Sequence, residues 1–273
     1  MLKIGQIDFA NLYPIFYGLS RQLSSPDYQF IKGPPSHINR LLRSGAIDVG
    51  PCSSIEYLRS GNIYNLIPDH SISAYGEIKS ISLFSHFPIT QLSGCSVLTT
   101  HKSETSSALL RIILEKFLGL RVDISISTKS LKEGLKDNSA YLMIGDDALN
   151  EACINGFMDS DGVMNYVSNG LYLYDLSLLW HQYTGLPFVF ALWLSADTAT
   201  HKSQYQRFIS ELDAAKFNAY LGLSDIAQGY PHKGVITKRA LLTYWNTISY
   251  DLTQIHLNGL EQFKQYLIEL KII

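Results

Sequence analysis

The chain has 273 residues, 46% of them hydrophobic and 17% charged, so it carries the apolar material for one large or two medium domains. Its 22 basic and 24 acidic residues leave a formal charge of −2 with no block of like charge, which excludes a broad cationic surface for nucleic acid. The same composition excludes disordered, collagen-like and mini-protein classes, and the longest apolar run, Leu186 to Leu194, falls far short of the roughly 20 residues that a membrane-spanning helix needs.

Strand-like and helix-like segments alternate from the start, the pattern of an α/β protein with a mainly parallel sheet. Leu2 to Ile7 reads as the first strand, Tyr28 to Lys32 as the second and Ala46 to Gly50 as the third. Between the last two, Ser36 predicts an N-cap, Ile38, Leu41 and Leu42 an apolar stripe, and Gly45 a stop. Ser53 and Glu56 then match a capping box that opens the next helix at the carboxyl end of the third strand, where open α/β sheets bind ligands. An extended run over Lys79 to Ser85 precedes a second α/β unit: strand Cys95 to Thr99, helix Thr105 to Leu118, strand Val122 to Ser127, helix Ser130 to Lys136, strand Ala140 to Ile144 and helix Asp147 to Ile154. Phe188 to Leu194 is extended again. A mostly helical tail follows, with one amphipathic stripe through Tyr205, Phe208, Ile209 and Leu212 and another through Leu260, Phe263, Leu267 and Leu270.

The two extended runs flank the second unit, which predicts a discontinuous first lobe (residues 1–84 with 191–273) and an inserted second lobe (residues 85–190). That organisation is similar to a type II periplasmic-binding-protein-like fold, with the ligand cleft between lobes. The N-terminus shows no charged, apolar and small-residue leader pattern, so a cytoplasmic location without a membrane anchor is expected. Cys52, Cys95 and Cys153 are odd in number and widely spaced, which predicts reduced thiols.

Dinucleotide, phosphate-loop, serine-hydrolase and helix-borne zinc motifs are absent. His37, His70, His86, His101, His181, His201, His232 and His256 include no pair at metal-ligand spacing, and no metal site is expected. Four segments could carry chemistry. Thr99 to Ser107 lies between a strand and a helix, and its hydroxyls, with Thr105 and Ser106 among them, are either an ordinary cap or a grip for a carboxylate or phosphate. Gly145-Asp146-Asp147 stands at another strand-to-helix switch: Asp147 is a candidate N-cap or first-turn acid, and Asp146 either orients a ligand hydroxyl or holds a loop. Asn11-Leu12-Tyr13-Pro14 follows the first strand and offers an amide that both donates and accepts, with Ser53, Ser54 and Ser80 as hydroxyls expected to face it. Asp175, Trp180 and Thr184 to Trp193 form an aromatic-rich stretch, either core packing or a wall against a ring-shaped ligand. Such a constellation suits a small polyanionic acid.

Taken in order, Asp8 to Pro14, Asp48 to Tyr57, Gly76 to Leu83, Leu98 to His101 with Thr105-Ser106, Ile144 to Leu149 and Thr184 to Trp193 resemble the chorismate dehydratase family of the futalosine route to menaquinone. Tyr250-Asp251-Leu252 and Gly259-Leu260 with Phe263 extend the resemblance over essentially the whole chain. It implies a two-lobed binding-protein fold used as a cofactor-free hydro-lyase that converts chorismate into 3-[(1-carboxyvinyl)oxy]benzoate. By the same resemblance Asn11 and Ser80 are the catalytic candidates, and Cys52, Ser53, Ser54, Thr99, Thr105, Ser106, Gly145 and Asp146 the candidates for binding the substrate. Cys52 departs from the small Val, Ala or Thr expected there. The alternatives are a non-catalytic small-anion solute-binding protein and the related 1,4-dihydroxy-6-naphthoate synthase. The Asn-Leu-Tyr-Pro start, and the lack of histidine over Ile144 to Leu149, favour the dehydratase over the synthase.

Overall fold

A computed structural model describes residues 1–22, 26–60, 63–231 and 234–273, so His232 lies outside the described residues. In chain order the elements of the first half are β1 (Leu2–Gln6), α1 (Tyr13–Gln22), β2 (Tyr28–Lys32), α2 (Pro35–Arg43), β3 (Val49–Ser53), α3 (Ser54–Ser60), β4 (Tyr64–Ala74), β5 (Ile81–Ser85), β6 (Ser96–Thr100), α4 (Glu104–Arg111) and β7 (Asp123–Ser127). There follow α5 (Leu131–Gly134), β8 (Ala140–Ile144), α6 (Gly145–Ile154), β9 (Val167–Ser168), β10 (Leu171–Asp175), α7 (Leu176–Thr184), β11 (Phe188–Ala196), α8 (Tyr205–Ile226), α9 (Lys238–Trp245) and α10 (Gln254–Glu269).

By the packing of the described residues the chain forms two compact units. One comprises Met1–Ser73, Val189–Pro231 and Ser249–Gln254; the other comprises Ala74–Phe188, His232–Ile248 and Ile255–Ile273. The tail therefore divides: α8 belongs to the first unit, α9 and α10 to the second.

The first unit is built on a five-stranded sheet of order β2-β1-β3-β11-β4. β1 runs parallel to β2 and β3, whereas β11 is antiparallel to β3, with Leu192 opposite Cys52. Alternate apolar residues of β1, Leu2 and Ile4, are fully buried. Phe16 of α1 packs on Trp193 of β11 at 5.7 Å between ring centroids, and Trp193 packs on Phe208 of α8 at 5.9 Å. Burying side chains of this size contributes about 1.5–3 kcal/mol each, so these rings anchor the unit.

The second unit has a six-stranded sheet of order β7-β6-β8-β5-β10-β9. β6 is parallel to β7 and β8, while β5 and β10 run antiparallel to their neighbours, so both sheets are mixed where a mainly parallel one was expected. Trp180, Phe188 and Phe263 form its aromatic centre, with centroids 5.2 Å apart for Trp180–Phe188 and 4.9 Å for Phe188–Phe263. The aromatic-rich stretch through Trp180 and Phe188 is thus core packing, and Phe263 draws α10 into this unit.

Local differences from the sequence reading have plain causes. α2 starts one residue before Ser36, because Pro35 takes the first helical position where its missing N–H costs nothing, and Pro34 is the N-cap. It stops before Gly45, whose φ of +69° is the expected left-handed terminator. β3 begins at Val49 and runs to Ser53, three residues later than expected. The Ser53–Glu56 capping box does not form. Ser53 Oγ instead accepts from Asn39 Nδ2 at 2.9 Å, and the Glu56 carboxylate accepts from Arg43 and from Tyr64 Oη. The helix expected over Thr105 to Leu118 is α-helical only to Arg111, and Ile112–Phe117 continue it as a π-helical turn.

Candidate functional site

β1 and β3 are parallel neighbours, Ile4 pairing with Val49, so their carboxyl ends share one edge of the first sheet. Asn11 follows β1 in a short 3-10 turn, Ala10–Leu12. Its carbonyl accepts a 2.8 Å hydrogen bond from Tyr250 Oη. Its side-chain Oδ1 is buried and has no hydrogen-bond partner in the protein. A buried acceptor without a donor costs free energy, and such groups concentrate where a ligand supplies the missing bond.

At the end of β3 the backbone N–H of Ser53 donates to Asn39 Oδ1 at 3.2 Å, completing a two-way contact that fixes this turn on α2. The Ser54 hydroxyl donates to Val189 O at 2.7 Å, and Cys52 is wholly buried opposite Leu192. The Ser54 bond ties the start of α3 to β11, and backbone pairing joins β3 to it. Burial, reinforced by the nearby Glu56, pushes the Cys52 thiol well above its ordinary value and keeps it protonated. All three cysteines are free, and Cys95 and Cys153 are partly exposed. A thiol reagent is therefore expected to label Cys95 and Cys153 in the native protein before Cys52. Peptide mass spectrometry that found Cys52 modified first would contradict this packing.

In the second unit, register gathers the remaining candidates at one sheet edge. β6 and β8 are parallel, Thr99 opposite Leu142, so α4 and α6 both start from their carboxyl ends. β5 is antiparallel to β8, Ile81 opposite Ile144, so Ser80 enters at that same edge. Gly145 has φ +61°, a conformation open to glycine at little cost, and its N–H donates to Ser80 O at 2.7 Å. Ser103 caps α4, its Oγ accepting from Ser106 N at 3.1 Å and lying 3.0 Å from Ser106 Oγ. Thr99, Thr105 and Ser106 are all buried, and Thr99 Oγ1 has no hydrogen-bond partner. Asp146 and Asp147 both lie in the first turn of α6, so Asp147 is a first-turn acid rather than the cap; it pairs with Lys102 and links the two helix starts. The N-terminus of α4, with its buried hydroxyls, favours negative charge, whereas α6 opens on two carboxylates of its own.

Ser80 is the best-supported side chain of this edge. Lys79 before it adopts φ +64°, in the left-handed region that costs a non-glycine residue about 1–2 kcal/mol. Asp175 offsets that strain: buried, it accepts from Ile78 N at 2.9 Å and Lys79 N at 2.5 Å through Oδ2, and from Ser177 N at 2.9 Å and Leu178 N at 3.0 Å through Oδ1. The Lys79 ammonium is buried as well, paired with Glu77 and donating to Gly162 O at 3.0 Å. Tyr244 Oη donates to Ser80 Oγ at 3.1 Å in a buried contact. Sequence reading missed Tyr244, named Lys79 and Tyr250 only within segments that carry the family resemblance, and saw Asp175 only beside an aromatic cluster. The offset of Asp175 from Ser177, a capping spacing, was the one local signal for its role.

The family model described as menaquinone biosynthesis matches residues 2–269. The chain belongs to this family. Among curated members, the chorismate dehydratase of Thermus thermophilus is 32% identical over 196 residues, covering 70% of this chain and 68% of that protein. Two solved structures carry the fold comparison. A protein from Archaeoglobus fulgidus superposes with a TM-score of 0.75 at 12% identity, covering 100% of this chain and 98% of the other. The periplasmic aliphatic sulphonate binding protein of Escherichia coli superposes with a TM-score of 0.64 at 12% identity, covering 100% and 93%. At such identities the likeness is one of fold, and the fold of this menaquinone biosynthesis family member is of the periplasmic-binding-protein kind. Among the described residues no group of three or more His, Cys, Asp or Glu side chains converges to hold a metal, and no helix is long and apolar enough to cross a membrane.

Proposed function

We propose that the protein is a hydro-lyase of menaquinone biosynthesis that dehydrates chorismate to 3-[(1-carboxyvinyl)oxy]benzoate. The 32% identity to a chorismate dehydratase over 70% of the chain carries this reading. The site chemistry agrees with it: chorismate bears two carboxylates and a ring hydroxyl, and the protein offers buried hydroxyls at the start of α4 together with an unpartnered amide oxygen. In this reading Thr105 and Ser106 hold a carboxylate, Asn11 contacts the reacting ring and Ser80 orients the leaving hydroxyl.

The reaction removes the proton from the ring carbon bearing the enolpyruvyl ether, and hydroxide leaves from the neighbouring carbon. The two depart together as water, and aromatisation supplies the driving force without a cofactor. With no strong base at Asn11 or Ser80, the substrate's own enolpyruvyl carboxylate takes the proton, and the protein contributes position. The enzyme acts in the cytoplasm on this small acid.

Incubating the purified protein with chorismate and following products by mass tests the reading. Loss of one water with growth of a benzoate absorbance is the expected result. Tight binding without turnover would replace it with a solute-binding role, and no interaction would leave the fold alone. Thr105→Val and Ser106→Ala are each expected to raise KM about tenfold with kcat within about threefold, since each removes one hydrogen bond to a charged group. A drop confined to kcat would remove these residues from the carboxylate grip.

A further inference from the structure

Resting on the dehydratase reading, we propose that Tyr244 and Tyr250 are positioning residues, each fixing one of the two catalytic candidates through its phenol hydroxyl. Tyr244 Oη donates to Ser80 Oγ at 3.1 Å, and both residues are buried, Tyr244 completely. Tyr250 Oη donates to the Asn11 carbonyl at 2.8 Å, and Tyr250 is buried too. A phenol that donates to the serine oxygen occupies one of its lone pairs and turns the serine proton outward. It also polarises that O–H, because hydrogen bonds in a chain strengthen one another at low local dielectric. Ser80 is thereby set as a donor toward a departing hydroxyl. The bond from Tyr250 fixes the Asn11 turn by its main chain and leaves the side-chain amide for the ligand.

Both tyrosines come from one short stretch of chain, and each works inside its own unit. Tyr244 ends α9, and a turn through Thr247, whose Oγ1 donates to Tyr244 O at 2.7 Å, leads to Ser249. Ser249 and Tyr250 pair with β4: Ser73 N donates to Ser249 O at 2.9 Å, Ser249 N to Ser73 O at 2.8 Å and Ser71 N to Tyr250 O at 2.9 Å. From α8, Tyr220 Oη accepts from Tyr250 N at 2.8 Å and donates to Asp251 at 3.0 Å, while Lys216 pairs with Asp251 at 3.1 Å. This density of bonds is what a residue needs if it is to hold another in place to a fraction of an ångström.

The test is a double-mutant cycle of Tyr244→Phe with Ser80→Ala, with Tyr250→Phe alongside and Tyr141→Phe as the control. Tyr141 is a buried tyrosine of the second unit whose hydroxyl bonds main-chain oxygens, Lys129 O at 2.9 Å and Ser127 O at 3.3 Å, rather than a catalytic candidate. Tyr244→Phe and Tyr250→Phe should each lower kcat roughly tenfold, the factor carried by a hydrogen bond of ordinary strength, with KM within about twofold. In the Ser80→Ala background, Tyr244→Phe should change kcat by less than about twofold. Tyr141→Phe should lower the unfolding temperature and leave kcat unchanged. Equal losses of kcat in both backgrounds, unchanged kcat in the two site variants, or an equal loss in Tyr141→Phe would overturn the proposal. If the parent protein does not consume chorismate at all, the dehydratase reading fails instead. The Tyr244–Ser80 contact is then read from the unfolding free energies of the same four proteins, where additive effects would overturn it.

Discussion

Replacing Asn11 by alanine is expected to lower turnover of chorismate by about 10²–10⁴-fold, the range for a group that positions or moves a proton in the transition state. The unfolding temperature should stay within a few degrees of the parent. Ordinarily, truncating a buried polar residue leaves its partner unsatisfied and destabilises the fold. Here the main-chain carbonyl of Asn11 keeps its bond from Tyr250, and the side-chain Oδ1 has no partner to abandon. Loss of activity without loss of stability is the signature of a group held in reserve for a ligand. Asn11→Asp sharpens the test: it keeps the shape but adds a negative charge beside a dicarboxylate, so it should weaken binding as well as turnover. Unchanged turnover in Asn11→Ala would remove Asn11 from the reaction, and a large drop in unfolding temperature would show that Oδ1 serves the fold.

Asp175→Asn is expected to cost about 4 kcal/mol of stability at neutral pH, at roughly 1–3 kcal/mol for each buried donor left without an acceptor. The two carboxylate oxygens accept four backbone N–H groups between them. An amide presents one oxygen, so the Ile78–Lys79 pair or the Ser177–Leu178 pair must face an NH₂ group. Burial pushes the Asp175 carboxyl from its ordinary 3.8 up to about 6, against the pull of the N–H groups of Leu178, Lys79 and Ile78. The folded state thus holds this proton more tightly than the unfolded chain between pH 3.8 and 6. Over that window the parent gains stability as pH falls, by up to about 3 kcal/mol, and Asp175→Asn cannot share the gain. Its deficit in denaturant unfolding should therefore be larger at pH 4.5 than at pH 7.5. A deficit that stays flat or shrinks toward acid would show that the carboxyl is not raised. Because the Ile78–Lys79 turn carries Ser80, turnover should fall in the same variant.

Much of this architecture was legible because its parallel strands are short, apolar and bounded by turn residues. β1, β2 and β8 lie within a residue of their expected limits, and Gly45 ends α2 as its position foretold. The menaquinone family was legible too, through segments spread over the whole length. β4 was not: Pro68, Asp69, His70, Ser71 and Ser73 break any apolar alternation, and the strand is held by backbone pairing to Ser249 and Tyr250. Nor did periodicity show that β5 and β10 run antiparallel, although that reversal brings Ser80 to the edge where α4 and α6 begin. Tyr244 and Tyr250 carry no local pattern, because the residues they hold lie more than 160 positions away. Ser53, Ser54 and Asp147 were singled out as polar residues at helix starts. Three-dimensional packing gives each a definite partner, in Asn39, the β11 main chain and Lys102.

The strand order β2-β1-β3-β11-β4 has a consequence for how the polypeptide is made. β11 lies between β3 and β4, yet it leaves the ribosome more than a hundred residues after either of them is complete. Until then the first sheet can zip only β1, β2 and β3, and β4 waits without its inner neighbour. The second sheet has a matching delay, since Phe263 closes over Trp180 and Phe188 only when the last helix has been synthesised. Such late, non-local closure slows folding and exposes strand edges to other chains meanwhile. A transcript truncated even shortly before α10 should therefore yield an aggregating product rather than a smaller folded one.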